Sequence, residues 1–167
     1  QARGTDWLWE RALSAVRTVQ VGTQVSGQVA QLYVDFNDHV KKGQLLARID
    51  PTLQQQAVED AQAQLERAQA TLTQAQDDYN RNKQLLDAKV ITAQEFSTVQ
   101  SNFSVQQAMV KSARIALDRA KQNLAYTSIY APIDGVIVER DVDVGQTVAA
   151  SLSAPQLFII ANDLSEM

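Results

Sequence analysis

The strongest constraint on this chain is a long central stretch, residues 52–126, that contains neither glycine nor proline. Within it, apolar or small side chains recur at alternating steps of three and four residues, the repeat of a coiled-coil seam. The first stripe is Ala61, Leu65, Ala68, Leu72, Ala75, Tyr79, Asn82 and Leu86. The second stripe is Phe96, Val99, Phe103, Gln106, Val110, Ala113, Leu117, Ala120 and Leu124. The pattern predicts two helices, each burying one seam.

The two predicted helices are joined by a connection, residues 87–92, that is too short for anything but a tight turn. The helices must therefore fold back as an antiparallel hairpin, with arms roughly 50 Å long. Thr92 and Glu95 have the spacing of a capping box, which predicts that the second helix begins there. A free coiled-coil dimer is the alternative interpretation of the stripes, and the short connection argues against it.

The flanking segments, residues 19–50 and 128–167, are rich in valine and glycine and share one pattern. In each, a glycine (Gly27 or Gly135) opens a strand, and a Gly-Gln turn (at Gly43 or Gly145) leads into another. Each half is too small to bury a core alone. We therefore expect the halves to pair as one small β-sandwich. Residues 1–18, with their two tryptophans, receive no structural assignment.

Composition excludes several classes of function. The net charge is −4 and the basic residues are scattered, whereas nucleic-acid binding requires a basic stripe. The chain has no cysteine and a single histidine, His39, in a polar stretch interpreted as a solvated turn, so a metal site is not expected. No stretch approaches the roughly 20 apolar residues that span a bilayer. We predict no catalytic residue, no metal and no cofactor.

Particular runs of residues resemble a known family. Residues 26–29, 40–46 and 49–50 resemble the first half of a lipoyl or biotinyl-carrier domain, and residues 126–136 resemble the return half found in membrane fusion proteins, the HlyD- and MacA-like periplasmic adaptors. The combination of a split lipoyl domain with a coiled-coil hairpin is specific to that family. It implies an α+β fold in which a lipoyl-like β-sandwich, or barrel-sandwich hybrid, formed by 19–50 and 128–167, is split by a hairpin at 51–127.

The C-terminal run, residues 147–167, is similar to the MacA-like branch, whose partners include an ABC transporter. Members of that branch carry glutamine before the glycine of the second turn, where this chain has Val144, so an inherited channel-gating role is not implied. Family members also continue into a β-barrel and a membrane-proximal domain. The resemblance therefore implies that the chain corresponds to part of a longer adaptor.

The resemblance implies a non-enzymatic role in the periplasm, with the full-length protein associated with the inner membrane. Such an adaptor bridges an inner-membrane ABC or resistance-nodulation-division (RND) transporter to a TolC-like outer-membrane channel, and copies self-associate into a ring. The family's hairpin tip carries arginine, leucine and serine at a spacing matched here by Arg81, Leu85 and Thr92. These residues are implied to contact the channel. The alternative is that Leu85 closes the coiled coil, Arg81 is solvated and Thr92 is only a helix cap.

Other functions fit the sequence less well. A lipoyl or biotin carrier needs a modifiable lysine in the turn between its halves, and Lys41 and Lys42 lie in a different turn. Acid–base catalysis needs carboxylates held in a cleft with shifted pKa, whereas the acidic run of Asp134, Glu139, Asp141 and Asp143 is interpreted as a solvated face. A structural coiled-coil module without an efflux role remains the alternative function.

Overall fold

The structure, a computed structural model, describes residues 16–150 and 155–163. The chain divides into two compact units, of which one is Thr52–Leu124 and the other comprises the described residues before and after that segment. The strands of the second unit are β1 (Val16–Gly22), β2 (Gly27–Leu32), β3 (His39–Val40), β4 (Leu45–Ile49), β5 (Ser128–Tyr130), β6 (Gly135–Arg140), β7 (Thr147–Val148) and β8 (Gln156–Asp163). The helices are α1 (Thr52–Asp87) and α2 (Ala93–Ala125).

The β unit consists of two four-stranded sheets, ordered β1-β8-β6-β3 and β5-β4-β2-β7, with antiparallel pairing throughout. The buried side chains of these strands come from both sheets. They form one core, in which Leu46, Ile49, Ile137, Phe158 and Ile160 are completely buried. Residues from both chain segments contribute to this core, so neither half is a separate folding unit.

Short strands of each half of the chain pair with strands of the other half. β2 of the first half pairs with β7 of the second, and β6 of the second half pairs with β3 of the first. This pairing joins segments that are separated along the chain by the whole of α1 and α2. It explains why both halves are needed for the core.

The repeated Gly-Gln turns adopt the same structure. Gly43 and Gly145 have φ values of 84° and 88°, the left-handed region that glycine enters without a steric penalty. In each turn the backbone N–H of the glutamine (Gln44 or Gln146) donates a hydrogen bond to the carbonyl of the residue three positions earlier. The glutamine side-chain oxygen accepts a hydrogen bond from the backbone N–H of that same residue, at 3.1 Å in both turns. The sequence repeat is thus a structural repeat.

The helical unit buries the predicted seams. Every residue of both stripes is buried or half-buried, and in α2 all residues outside the stripe are exposed. Leu65 on α1 belongs to one apolar cluster with Val110 and Leu117 on α2, whereas Tyr79, further along α1, contacts Phe96 and Phe103 near the start of α2. The helices therefore run antiparallel. Two long helices with two β-sheets confirm the α+β fold class.

The N-terminal boundary differs from the sequence interpretation in one respect. Residues 16–18, which received no assignment, belong to β1 because that strand pairs with β8 along its whole length. Trp7 and Trp9 lie outside the described residues. His39 is exposed, as predicted, but it lies in the short strand β3 and not in a turn. Among the described residues, no helix has the length and apolar character needed to cross a membrane.

Candidate functional site: the hairpin tip

The turn between the two helices is closed by a defined hydrogen-bond pattern. α1 ends at Asp87, and the backbone of Lys89 is left-handed, with φ of 59°. The N–H of Val90 is hydrogen bonded to the carbonyl of Leu85 at 2.8 Å, and the N–H of Lys89 to that of Leu86 at 3.0 Å. This is the Schellman motif, which normally has glycine at the left-handed position. We call residues 88–91 the tip turn.

Thr92 begins the second helix. Its side-chain hydroxyl oxygen accepts a hydrogen bond from the backbone N–H of Glu95 at 3.1 Å, and its carbonyl accepts one from Phe96, also at 3.1 Å. The predicted role of Thr92 as N-cap is therefore confirmed. Glu95 also places a carboxylate in the first turn of α2, where the helix dipole favours negative charge.

Arg81 and Leu85 lie one helical turn apart on α1, at positions that share a face. The Arg81 side chain is 68% exposed, and its Nη1 lies 3.7 Å from Oδ1 of Asp78. Such an exposed ion pair contributes little to stability, so the guanidinium remains available to a partner. Leu85 is half-buried. The tip thus brings an exposed cation and a partly exposed apolar side chain onto one face, whereas Thr92 lies beyond the tip turn at the start of α2.

Aromatic packing holds the tip end of the hairpin together. The ring of Tyr79 lies 5.4 Å from that of Phe96 and 5.0 Å from that of Phe103, measured between centroids. Contacts of this kind add stabilisation to the burial of the rings. Asn82, the polar member of the first seam, donates from its side-chain amide to the carbonyl of Asp78 at 2.7 Å. The residues next to the tip turn are therefore carried on packed helices and not on a loop.

The hairpin also has an open groove between its helices, with a volume of about 420 Å³. Gln64, Arg67 and Thr71 line it from α1, and Met109, Ser112 and Ala116 line it from α2. Met109 is more than half exposed. Most of the side chains that line the groove are small or neutral, so it has some apolar surface and a single charge, that of Arg67.

The acidic residues that suggested an alternative enzyme have separate surroundings. Asp134 accepts a hydrogen bond from the N–H of Lys42 at 2.5 Å, and Asp143 pairs with Arg140 at 3.2 Å. Glu139 and Asp141 form an exposed pair in which a hydrogen bond from the protonated Glu139 carboxyl to Asp141, followed by the negative charge of Asp141, raises the pKa of Glu139. Among the described residues, no group of histidine and acidic side chains could hold a metal ion.

A second cleft, of about 500 Å³, lies in the β unit. Arg140 lines it, with its Nη1 3.4 Å from Asp35 and its Nη2 3.2 Å from Asp143. Tyr33 and Val144 form part of its lining. This arrangement was not predictable from the sequence, because nothing in the local pattern relates Asp35 to a residue more than a hundred positions away.

Comparison with known proteins identifies the family. Residues 17–160 match the family model described as "RND MFP, barrel-sandwich hybrid domain". The chain is 39% identical to macrolide export protein MacA of Yersinia pestis, over 93% of this chain and 45% of that protein. It is 37% identical to multidrug resistance protein MdtA of Klebsiella pneumoniae, over 83% of this chain and 34% of that protein. The chain thus spans less than half the length of these relatives.

A solved structure supports the same assignment. The crystal structure of MacA from Actinobacillus actinomycetemcomitans superimposes with a TM-score of 0.59 at 30% identity, covering 89% of this chain and 51% of that one. This likeness and the family model agree with the predicted barrel-sandwich hybrid. The chain therefore belongs to the membrane fusion protein family, the non-enzymatic periplasmic adaptors that include MacA and MdtA.

Proposed function

We propose that this chain is the bridging part of a periplasmic adaptor in a tripartite efflux or secretion complex. In this proposal the protein links an inner-membrane ABC or RND transporter to a TolC-like outer-membrane channel, and the hairpin tip makes the contact with the channel. Arg81, Leu85 and Thr92 are the proposed contact residues. Membership of a family whose relatives are named for macrolide export and multidrug resistance supports the export role.

The observation that carries the tip proposal is the common face of Arg81 and Leu85. An arginine whose neighbouring carboxylate is 3.7 Å away and 39% exposed can exchange that partner for a carbonyl or carboxylate on another protein. Leu85 adds apolar area beside it. Arginine is enriched among the residues that dominate binding at interfaces.

We also propose that several copies associate into a ring, with their hairpins side by side. The groove lined by Thr71, Met109 and Ser112 supports this, because neutral and small side chains allow close approach without burying unpaired charge. The apolar surface of Met109, left open in one copy, would be covered by the next. The adaptor performs no chemistry in this mechanism and acts by bridging and sealing.

A cysteine-based crosslinking experiment tests the proposal. Ala88→Cys places one cysteine in the tip turn of this chain, which has no other cysteine. In cells that produce the whole protein encoded by the gene, we expect the Ala88→Cys variant to form a crosslink to a TolC-like channel. Ala70→Cys, on an exposed face in the middle of α1, is the matched control and should not crosslink to the channel.

Arg81→Asp then tests the contact itself. Reversing this charge should abolish the crosslink and export while leaving the helical content unchanged, because Arg81 is exposed and its ion pair is weak. Unchanged crosslinking and unchanged export in Arg81→Asp would show that the tip assignment is wrong. Crosslinking from position 70 but not from position 88 would instead favour a coiled-coil module that binds along its sides.

A further inference from the structure

The tip turn carries an apolar residue that the family pattern of Arg81, Leu85 and Thr92 does not include. Val90 is 67% exposed, one of the most exposed large apolar side chains among the described residues. A single exposed valine on a surface is ordinary. Its position here is not arbitrary, however, because its backbone is fixed by hydrogen bonding to the helix that precedes it.

The hydrogen bond from Val90 N–H to Leu85 C=O, at 2.8 Å, places these two residues next to each other across the end of α1. They occupy the two positions of a Schellman motif that usually make a hydrophobic contact. Val90 keeps two thirds of its surface exposed and Leu85 is only half-buried, so neither side chain is fully covered. The turn therefore presents two partly or largely exposed apolar residues whose backbones are adjacent.

The backbone that presents Val90 is held in a conformation that is costly for the residue in it. Lys89 has φ of 59°, where a side chain other than glycine or asparagine carries a steric penalty. The penalty persists because the two Schellman hydrogen bonds of Lys89 and Val90 require it. Backbone strain maintained at a solvent-exposed turn is a reason to look for a function there.

We infer that Val90 is a second apolar contact of the tip, presented beside Leu85 by the left-handed backbone of Lys89. This inference rests on the proposed function, because it takes the tip to be the surface that meets the outer-membrane channel. The partner surface it fits has an apolar pocket large enough for a leucine and a valine, next to hydrogen-bond acceptors for Arg81. Lys89 is a positioning residue, and its side chain is not required.

Binding measurements on tip variants test this inference. The protein as its gene encodes it is titrated against a purified TolC-like channel in detergent, with surface plasmon resonance as the readout. Val90→Asp should weaken binding by about tenfold or more, because it removes apolar area and buries a charge at the contact. Val90→Thr, which keeps the shape and adds a hydroxyl, should weaken it by a smaller factor of about threefold.

The matched control is Ile115→Asp. Ile115 is 51% exposed and β-branched like Val90, but it lies in the second half of α2, away from the tip turn, and is not among the residues that line the groove. Loss of binding in Val90→Asp and Val90→Thr, with normal binding in Ile115→Asp, supports the inference. Equal loss in Val90→Asp and Ile115→Asp overturns it, since the effect then belongs to any added charge.

Arg81→Asp separates this inference from the proposed function. If Arg81→Asp loses binding while both Val90 variants bind normally, the tip still meets the channel and Val90 is not a contact. If Arg81→Asp and the Val90 variants all bind normally, the proposed docking and the inference both fail. Circular dichroism on each variant verifies the helices, and if Val90→Asp unfolds, the near-isosteric Val90→Thr decides the result.

Discussion

The hydroxyl oxygen of Thr92 accepts the backbone N–H of Glu95 at 3.1 Å, so a residue that we propose to contact a partner is also the N-cap of α2. The two roles predict different responses to substitution. Thr92→Ala should lower the free energy of unfolding by about 1 kcal/mol, because one amide at the start of the helix loses its acceptor. Thr92→Ser should leave stability nearly unchanged. Urea unfolding followed by circular dichroism measures both.

Thr92→Asn distinguishes the cap from the contact. Asparagine caps helices well, so this variant should retain stability while it changes the group offered to a partner. If Thr92→Asn is stable but binds the channel weakly, Thr92 contributes to the contact. If Thr92→Ala is as stable as the unchanged protein, the N-cap interpretation is wrong.

The left-handed residue of the tip turn predicts a stabilising substitution. Lys89→Gly should raise the free energy of unfolding by about 0.5–1 kcal/mol, since glycine adopts positive φ without steric cost and the hydrogen bonds of the turn are made by the backbone. Lys89→Val should lower it, because a β-branched side chain is poorly tolerated there. Thermal unfolding of the three proteins gives the order, and a less stable glycine variant would contradict it.

The two repeated turns predict a matched pair of effects. Gly43→Ala and Gly145→Ala should each lower the free energy of unfolding by about 1 kcal/mol, because both glycines have positive φ. Steric overlap adds nothing to this cost, since an added methyl group would meet open space or ordinary contacts at both positions. Gly135→Ala should cost more, since its methyl group would overlap the carbonyl oxygen of Ala161 in the neighbouring strand. Denaturant unfolding tests this order, and very unequal costs for the two turns would refute their equivalence.

The exposed carboxyl pair predicts a local titration. The hydrogen bond and charge of Asp141 raise the pKa of Glu139, so the folded protein holds this proton more tightly than the unfolded chain. Because the folded state binds the proton more tightly, the resulting contribution to the free energy of unfolding is present in acid and is lost as pH rises through the raised pKa. Asp141→Asn should return the pKa of Glu139 towards its ordinary value, as measured by NMR titration. Asp134→Asn is the control and should leave it unchanged.

The helical unit shows how much of the structure a local residue pattern predicts. The residues of α2 that are not exposed are the members of the predicted stripe, including the polar Gln106. The Thr92 cap and the two Gly-Gln turns were likewise predictable, because each depends on residues within four positions of one another. The turn at Lys89 was not, since lysine gives no sign of a left-handed backbone where glycine is usual.

The candidate site was predictable only in part. The spacing of Arg81 and Leu85 predicts a shared helical face, and the structure has them one turn apart on α1. The proximity of Val90 to Leu85 could not be inferred from that spacing, because it depends on the backbone path of the tip turn. Whether these residues contact a channel stays a prediction.

The amino-acid sequence by itself determined the seams of the two helices, the tight connection between them and the turns of the two halves, because hydrophobic period, caps and glycine positions act within a few residues. Only the tertiary structure decided that β2 pairs with β7 and β3 with β6, and that Arg140 joins Asp35 to Asp143. Short strand edges offer similar backbone hydrogen bonds to many partners. The choice among them is made when both halves bury Ile49, Ile137 and Phe158 in one shared core.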